Sequence, residues 1–66
     1  MPLDIAKIRA LREKLGMTQD EAAKAAGLGT RQRWHGIESG TVTNIKLETL
    51  EAVAAALGVK SKDLLK

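Results

Sequence analysis

The stretch Thr18-Gln19-Asp20-Glu21-Ala22-Ala23-Lys24-Ala25-Ala26-Gly27-Leu28-Gly29-Thr30-Arg31-Gln32-Arg33-Trp34-His35-Gly36-Ile37-Glu38 decides the fold. It opens with the S/T-x-x-E pattern, in which Thr18 and Glu21 satisfy each other's backbone donors at a helix start. Alanines at 22, 23, 25 and 26 favour helix and let a neighbouring helix approach closely. This helix is expected over about 19–26, with Gly27 as its stop. Leu28-Gly29 then makes a short turn, and Thr30 caps another helix over about 31–39, which ends before Gly40. On that helix Trp34 and Ile37 fall on one side. Gln32, His35, Gly36 and Ser39 hold the opposite side, flanked by Arg31 and Arg33. One face is apolar and anchors the helix to a core. The other is short, polar and basic, with no acid on it.

Outward from this pair the pattern remains helical. Residues 4–15 place Ile5, Ile8, Leu11 and Leu15 at helical spacing, with Asp4 as cap and Gly16 as stop. Residues 40–46 form a loop, and its Thr41-Val42-Thr43 has no second strand to pair with. A helix over about 47–57 carries Leu47, Leu50, Val53, Ala54 and Leu57 on one stripe, and Gly58 stops it. Val59 plugs the core, and Ser61 caps a last short helix containing Leu64 and Leu65. Leu64 and Leu65 serve as core, as dimer surface, or as both. The expected fold class is all-α, a single domain over residues 1–66. No repeat, linker or low-complexity segment is present, and the lack of a C-terminal linker suggests a complete protein.

Composition narrows the function classes. A chain of 66 residues buries only about 60% of its unfolded surface, which suits short helices in a bundle. With no cysteine, disulfides and thiolate metal sites are excluded, and the one histidine cannot build a metal centre on its own. No apolar run approaches the roughly 18 residues needed to cross a bilayer. The start Met1-Pro2-Leu3-Asp4 lacks a signal pattern, so a cytoplasmic protein is expected. There is no nucleophile elbow or phosphate loop, so an enzyme is not expected, and no cofactor or small-molecule ligand is implied. Eleven basic residues against eight acidic ones give +3, a mild preference for a polyanion. Placement matters more than the sum: Arg31 and Arg33 stand together, and the first acid after them is Glu38.

Two short helices joined by a glycine-containing turn make a helix-turn-helix, whose second helix lies in the DNA major groove. On that reading Arg31 bonds guanine and Gln32 bonds adenine, at the helix end where readers usually sit. The N-terminus of the same helix, at Thr30, favours a nearby phosphate. Arg33 contacts DNA beside them, and the bland alternative for both arginines is a solvated helix face. His35 faces backbone or water more readily than a base, and no nucleophile or orienting acid beside it makes it a general base. Gly36 either permits close approach of DNA or is simply tolerated. Thr41, Thr43, Asn44 and Lys46, in the loop that follows, are placed to reach phosphate or to be solvated. Trp34 belongs to the core ahead of stacking on a base. Arg12 lies within an apolar stripe and wants a partner, with Glu38 the candidate. Otherwise it lies along the surface with its head in water.

The chain resembles the phage-repressor/Cro type of helix-turn-helix regulator, the XRE family with the lambda repressor-like fold. The matching residues are Ile8, Leu11-Arg12, Leu15-Gly16-Met17-Thr18-Gln19, Glu21, Ala23, Gly27, Ile37-Glu38, Gly40, Leu47-Glu48-Thr49-Leu50, Ala54 and Leu57-Gly58-Val59. They cover nearly the whole chain and are specific as a set. The resemblance implies a compact five-helix bundle that binds double-stranded DNA as a homodimer on a palindromic operator, usually as a repressor. It also implies that Gln19 holds a phosphate, and it points to the same Arg12–Glu38 pair. An antitoxin or restriction-modification control protein shares this fold, and a protein-interaction module would keep the bundle without the DNA face. Three departures stand out. The segment between Gly27 and Glu38 is one residue longer than the pattern, with the extra residue placed in the Leu28-Gly29 turn. An insertion elsewhere shifts the readers by one. The loop before Leu47 is also one residue long. Ala22 replaces a more usual leucine, which we attribute to the volume of Trp34.

Overall fold

The computed structural model describes residues 3–42 and 45–66. Four α-helices follow one another: α1 (Ile5–Lys14), α2 (Gln19–Ala25), α3 (Arg31–Glu38) and α4 (Leu47–Leu57). Each of the first three starts where a short polar side chain meets the amide three residues on. Asp4 accepts from Lys7 N at 3.2 Å, Thr18 from Glu21 N at 3.1 Å, and Thr30 from Arg33 N at 3.4 Å. At Thr18 the box closes reciprocally, with Glu21 Oε1 accepting from Thr18 N at 2.9 Å. The ends are set by left-handed glycines. After α2, Gly27 (φ 70°) lets its own amide reach Lys24 O at 3.0 Å and lets Leu28 N reach Ala23 O at 2.9 Å. Gly29 (φ 87°) then bends the chain again into Thr30, so five residues reverse direction between α2 and α3.

The fifth element differs from expectation. Ser61–Leu64 is a single 3-10 turn, so the described residues form four α-helices and not the expected five-helix bundle. Lys60 occupies the cap position and not Ser61, and its amide donates to Asp63 Oδ2 at 3.2 Å. Leu65 lies outside the turn because its backbone is extended and bridges antiparallel to Leu3, while Asp4 N donates to Leu64 O at 2.7 Å. The chain is drawn across the start of α1 before another helical turn forms.

The core joins all these elements. Ile8 from α1, Ala22 and Ala23 from α2, Trp34 and Ile37 from α3, Val53 and Leu57 from α4, and Leu64 form one buried cluster with Ala26, Leu28, Leu50 and Ala54. Trp34, Ile8, Leu64 and Val53 are its largest fully buried side chains. Val59 and Leu65 pack against this cluster while partly exposed. Helix α2 packs more extensively on α3 than any other pair does, as its small alanines allow. Two leucines read as stripe residues are instead exposed, Leu15 by 53% and Leu47 by 67%. Leu15 is the cap residue that closes α1 and Leu47 is the first residue of α4, so both lie where their helices leave the core.

Gly36 is the one glycine inside a helix, where it costs up to about 1 kcal/mol relative to alanine. A β-carbon there would meet Val42 Cγ2 at 3.1 Å. The close neighbour that crowds this position comes from the protein's own loop, and an added β-carbon would require Val42 to shift by a few tenths of an ångström. Thr41 and Val42 form no strand. Both amides donate to Gly36 O, at 3.1 and 3.2 Å.

Candidate nucleic-acid interface

The α3 helix is anchored by a buried carboxylate. The Glu38 side chain is fully buried, and five donors converge on it. Arg12 Nε meets Oε2 at 2.6 Å and Arg12 Nη2 meets Oε1 at 3.2 Å, the bidentate geometry a planar guanidinium permits. Arg9 Nε and Gln19 Nε2 reach Oε1 at 3.3 and 3.4 Å, and Trp34 Nε1 donates to Oε2 from one turn earlier in the same helix. Arg12 Nη1 also donates to Met17 O at 2.8 Å. Helix α1, the first residue of α2 and the middle and last residues of α3 thus meet at one group, and Arg12 ties the turn before α2 to it through Met17 O.

Burial pushes the Glu38 carboxyl up, but hydrogen bonds from Arg12, Trp34 and Gln19 and the Arg12 charge outweigh it, and the group lies below the usual glutamate range. The hydrogen bond to Glu38 raises Arg12 in turn, against the effect of its own burial. Because the folded carboxyl is the stronger acid, its stabilisation is complete above the ordinary value of about 4.3 and is lost as pH falls through the lower folded value. The stability difference between the wild type and Glu38→Gln should therefore be large at pH 7 and shrink steadily below about pH 4. Urea midpoints at both pH values measure it. A difference that persists unchanged in acid would show that the ionised carboxylate is not the stabilising species.

Outside this anchor the basic residues divide into two groups. Arg31, Gln32 and His35 are exposed on α3 and, with the half-buried Gln19, line one shallow depression that contains no carboxylate. Arg33 is exposed but turns the other way. Its Nη1 donates to Leu28 O at 3.3 Å, and it borders a second depression with Ile37, Val42, Ile45, Lys46 and the acidic Glu48. Among the described residues the ion pairs are Arg9–Glu38, Arg12–Glu38 and Lys24–Asp20, and none of them engages Arg31, Arg33 or Lys46. The Thr30 hydroxyl is committed to capping α3. Thr41 is exposed, with its hydroxyl 2.9 Å from that of Ser39, and Lys46 is exposed at the start of α4. Gly36 is half-buried beneath Val42. Thr43 and Asn44 lie outside the described residues.

Sequence reasoning missed the reach of Arg9 and Gln19 to Glu38. Their separations of 29 and 19 residues leave no local signal. Among the described residues no group of three His, Asp or Glu side chains converges as metal ligands would, and no helix is long and apolar enough to cross a membrane. Comparisons with curated proteins and with solved structures returned no match. A family model described as a helix-turn-helix domain matches residues 6–66. That match runs from the second residue of α1 through the 3-10 turn, and α2, the Gly27–Thr30 turn and α3 supply the motif it describes. The chain therefore belongs to the family of helix-turn-helix domains.

Proposed function

We propose that this domain binds double-stranded DNA sequence-specifically, with α3 in the major groove, as a small transcription regulator. The observation that carries this reading is the acid-free depression bordered by Gln19, Arg31, Gln32 and His35 at the exposed side of α3. Arg31 pairs with guanine O6 and N7, and Gln32 pairs with adenine N6 and N7. Gln19 holds a phosphate. Its amide nitrogen has two hydrogens, one held by Glu38, which leaves the other for the DNA backbone. Arg33, Thr41 and Lys46 contribute contacts that set position, as Thr43 and Asn44 would from the same loop, and the charge they carry makes affinity fall with salt. His35 contributes at the edge of the same face. The domain acts as a homodimer, two copies about one helical turn apart reading a palindromic operator, and represses by occupying it. This is binding without chemistry.

Selection from a randomised duplex pool across a salt series tests the reading, with the wild type and Arg31→Ala/Gln32→Ala in parallel. The wild type should enrich a palindromic site. The double variant should lose at least about 30-fold in affinity for that site while keeping its salt-dependent, sequence-tolerant binding. An enriched site without two-fold symmetry would remove the homodimer. No enrichment and no salt-dependent retention would leave the fold as a protein-interaction module.

A further inference from the structure

Two residues past the buried Trp34, Gly36 stands on the side of α3 turned away from the core. The helix has no side chain there, but the position is not empty. Val42 returns from the loop and sets Cγ2 3.1 Å from where a Gly36 β-carbon would stand. The amides of Thr41 and Val42 pin the loop in place through the Gly36 carbonyl, at 3.1 and 3.2 Å. Val42 nevertheless remains 37% exposed, and its neighbours around the adjoining depression include two cations, Arg33 and Lys46, and one acid, Glu48. An apolar branched side chain is thus fixed to the outward face of a helix whose other exposed groups, Arg31, Gln32 and His35, are all polar.

We infer that Val42 is a specificity-determining residue: standing in for the side chain that Gly36 lacks, it packs on the 5-methyl group of a thymine. The inference rests on the reading that α3 occupies the major groove. That groove displays one apolar recognition feature, the thymine methyl, and an apolar side chain is what reads it. Arg33 and Lys46 beside Val42 hold the loop against the phosphates. Gly36 lies four residues beyond Gln32, a rise of about 6 Å, so the thymine falls within about two base pairs of the base that Gln32 reads.

The test uses the site enriched by the wild type and replaces each thymidine in one half-site, one at a time, with deoxyuridine. Wild-type affinity should drop about fourfold at one position, the value of burying one methyl group. Val42→Ala should bind the thymine site about fourfold more weakly and make no distinction between thymine and uracil at that position. Its circular-dichroism melt should match the wild type because Val42 is an exposed loop residue. Indifference of the wild type to every thymine methyl overturns the inference, and so does a Val42→Ala variant that keeps the wild-type discrimination. Failure to enrich any site is a different result, which removes the sequence-specific DNA-binding reading and this inference with it.

Discussion

Glu38→Ala is expected to lower the unfolding free energy by about 3–5 kcal/mol, the cost of leaving a buried charge without its partner. The stranded charge is Arg12, whose side chain is 13% exposed and whose Nε and Nη2 both point at the missing carboxylate. The Trp34 indole N–H, fully buried, loses its acceptor at the same time. A domain of this size has about 3–10 kcal/mol of stability in all, so the variant should lose about a third of it or more. Arg9→Ala removes a guanidinium that is 55% exposed and leaves the bidentate Arg12 pair intact, so it should cost under about 1 kcal/mol. Urea melts followed by circular dichroism separate the two cases. Glu38→Ala within 1 kcal/mol of the wild type would mean that water or rearrangement replaces the carboxylate, and the anchor would then not be what holds α1 and α2 to α3.

The Arg12–Glu38 pair also marks where the sequence could be read and where it could not. Arg12 stands out because a charge inside an apolar stripe needs an acid, and Glu38 is the acid beside Trp34 on its helix. Nothing comparable marks Arg9 or Gln19, whose approach to Glu38 depends on how α1 and α2 are set against α3. The helix starts were legible because Thr18 and Glu21, or Thr30 and the Arg33 amide, lie within three residues of each other. Periodicity placed Leu15 and Leu47 on their stripes, but a stripe does not say where a helix runs past the core. Gly36 was ambiguous because the atom that crowds it, Val42 Cγ2, comes from beyond the end of its helix. Arg31 and Arg33 look equivalent two residues apart, and the 100° advance per residue separates them by more than half a turn. One faces the depression with Gln19, while the other is tied to Leu28 O. At the last element a capping residue and two leucines fit a helical turn, while the bridge to Leu3 that stops it is set by the opposite end of the chain.

Trp34→Val should lower stability by about 3–5 kcal/mol, and the reason can be divided experimentally. Trp34 is fully buried and is the only aromatic residue in a chain without Phe or Tyr, so no neighbouring ring can expand into the space it leaves. In the same buried cluster the helix that packs most extensively against α3 contributes small residues, Ala22 and Ala23, followed by Ala26 at its C-cap. Trp34→Phe keeps most of the ring volume and deletes the N–H that meets Glu38, so its cost should be about 1–3 kcal/mol. The rest of the Trp34→Val loss is cavity. Ala22→Leu alone should overpack the site and cost about 1–3 kcal/mol. In the Trp34→Val background the same leucine should recover part of the loss, because added volume then fills a void. Since Trp34 is the sole tryptophan, the melts must be followed by circular dichroism and not by indole fluorescence. Strict additivity of Ala22→Leu and Trp34→Val would show that the two residues do not share a volume. A near-neutral Trp34→Val would show that the core does not depend on the ring at all. Opposite signs for Ala22→Leu in the two backgrounds would show that the alanine on α2 is matched in volume to the tryptophan on α3.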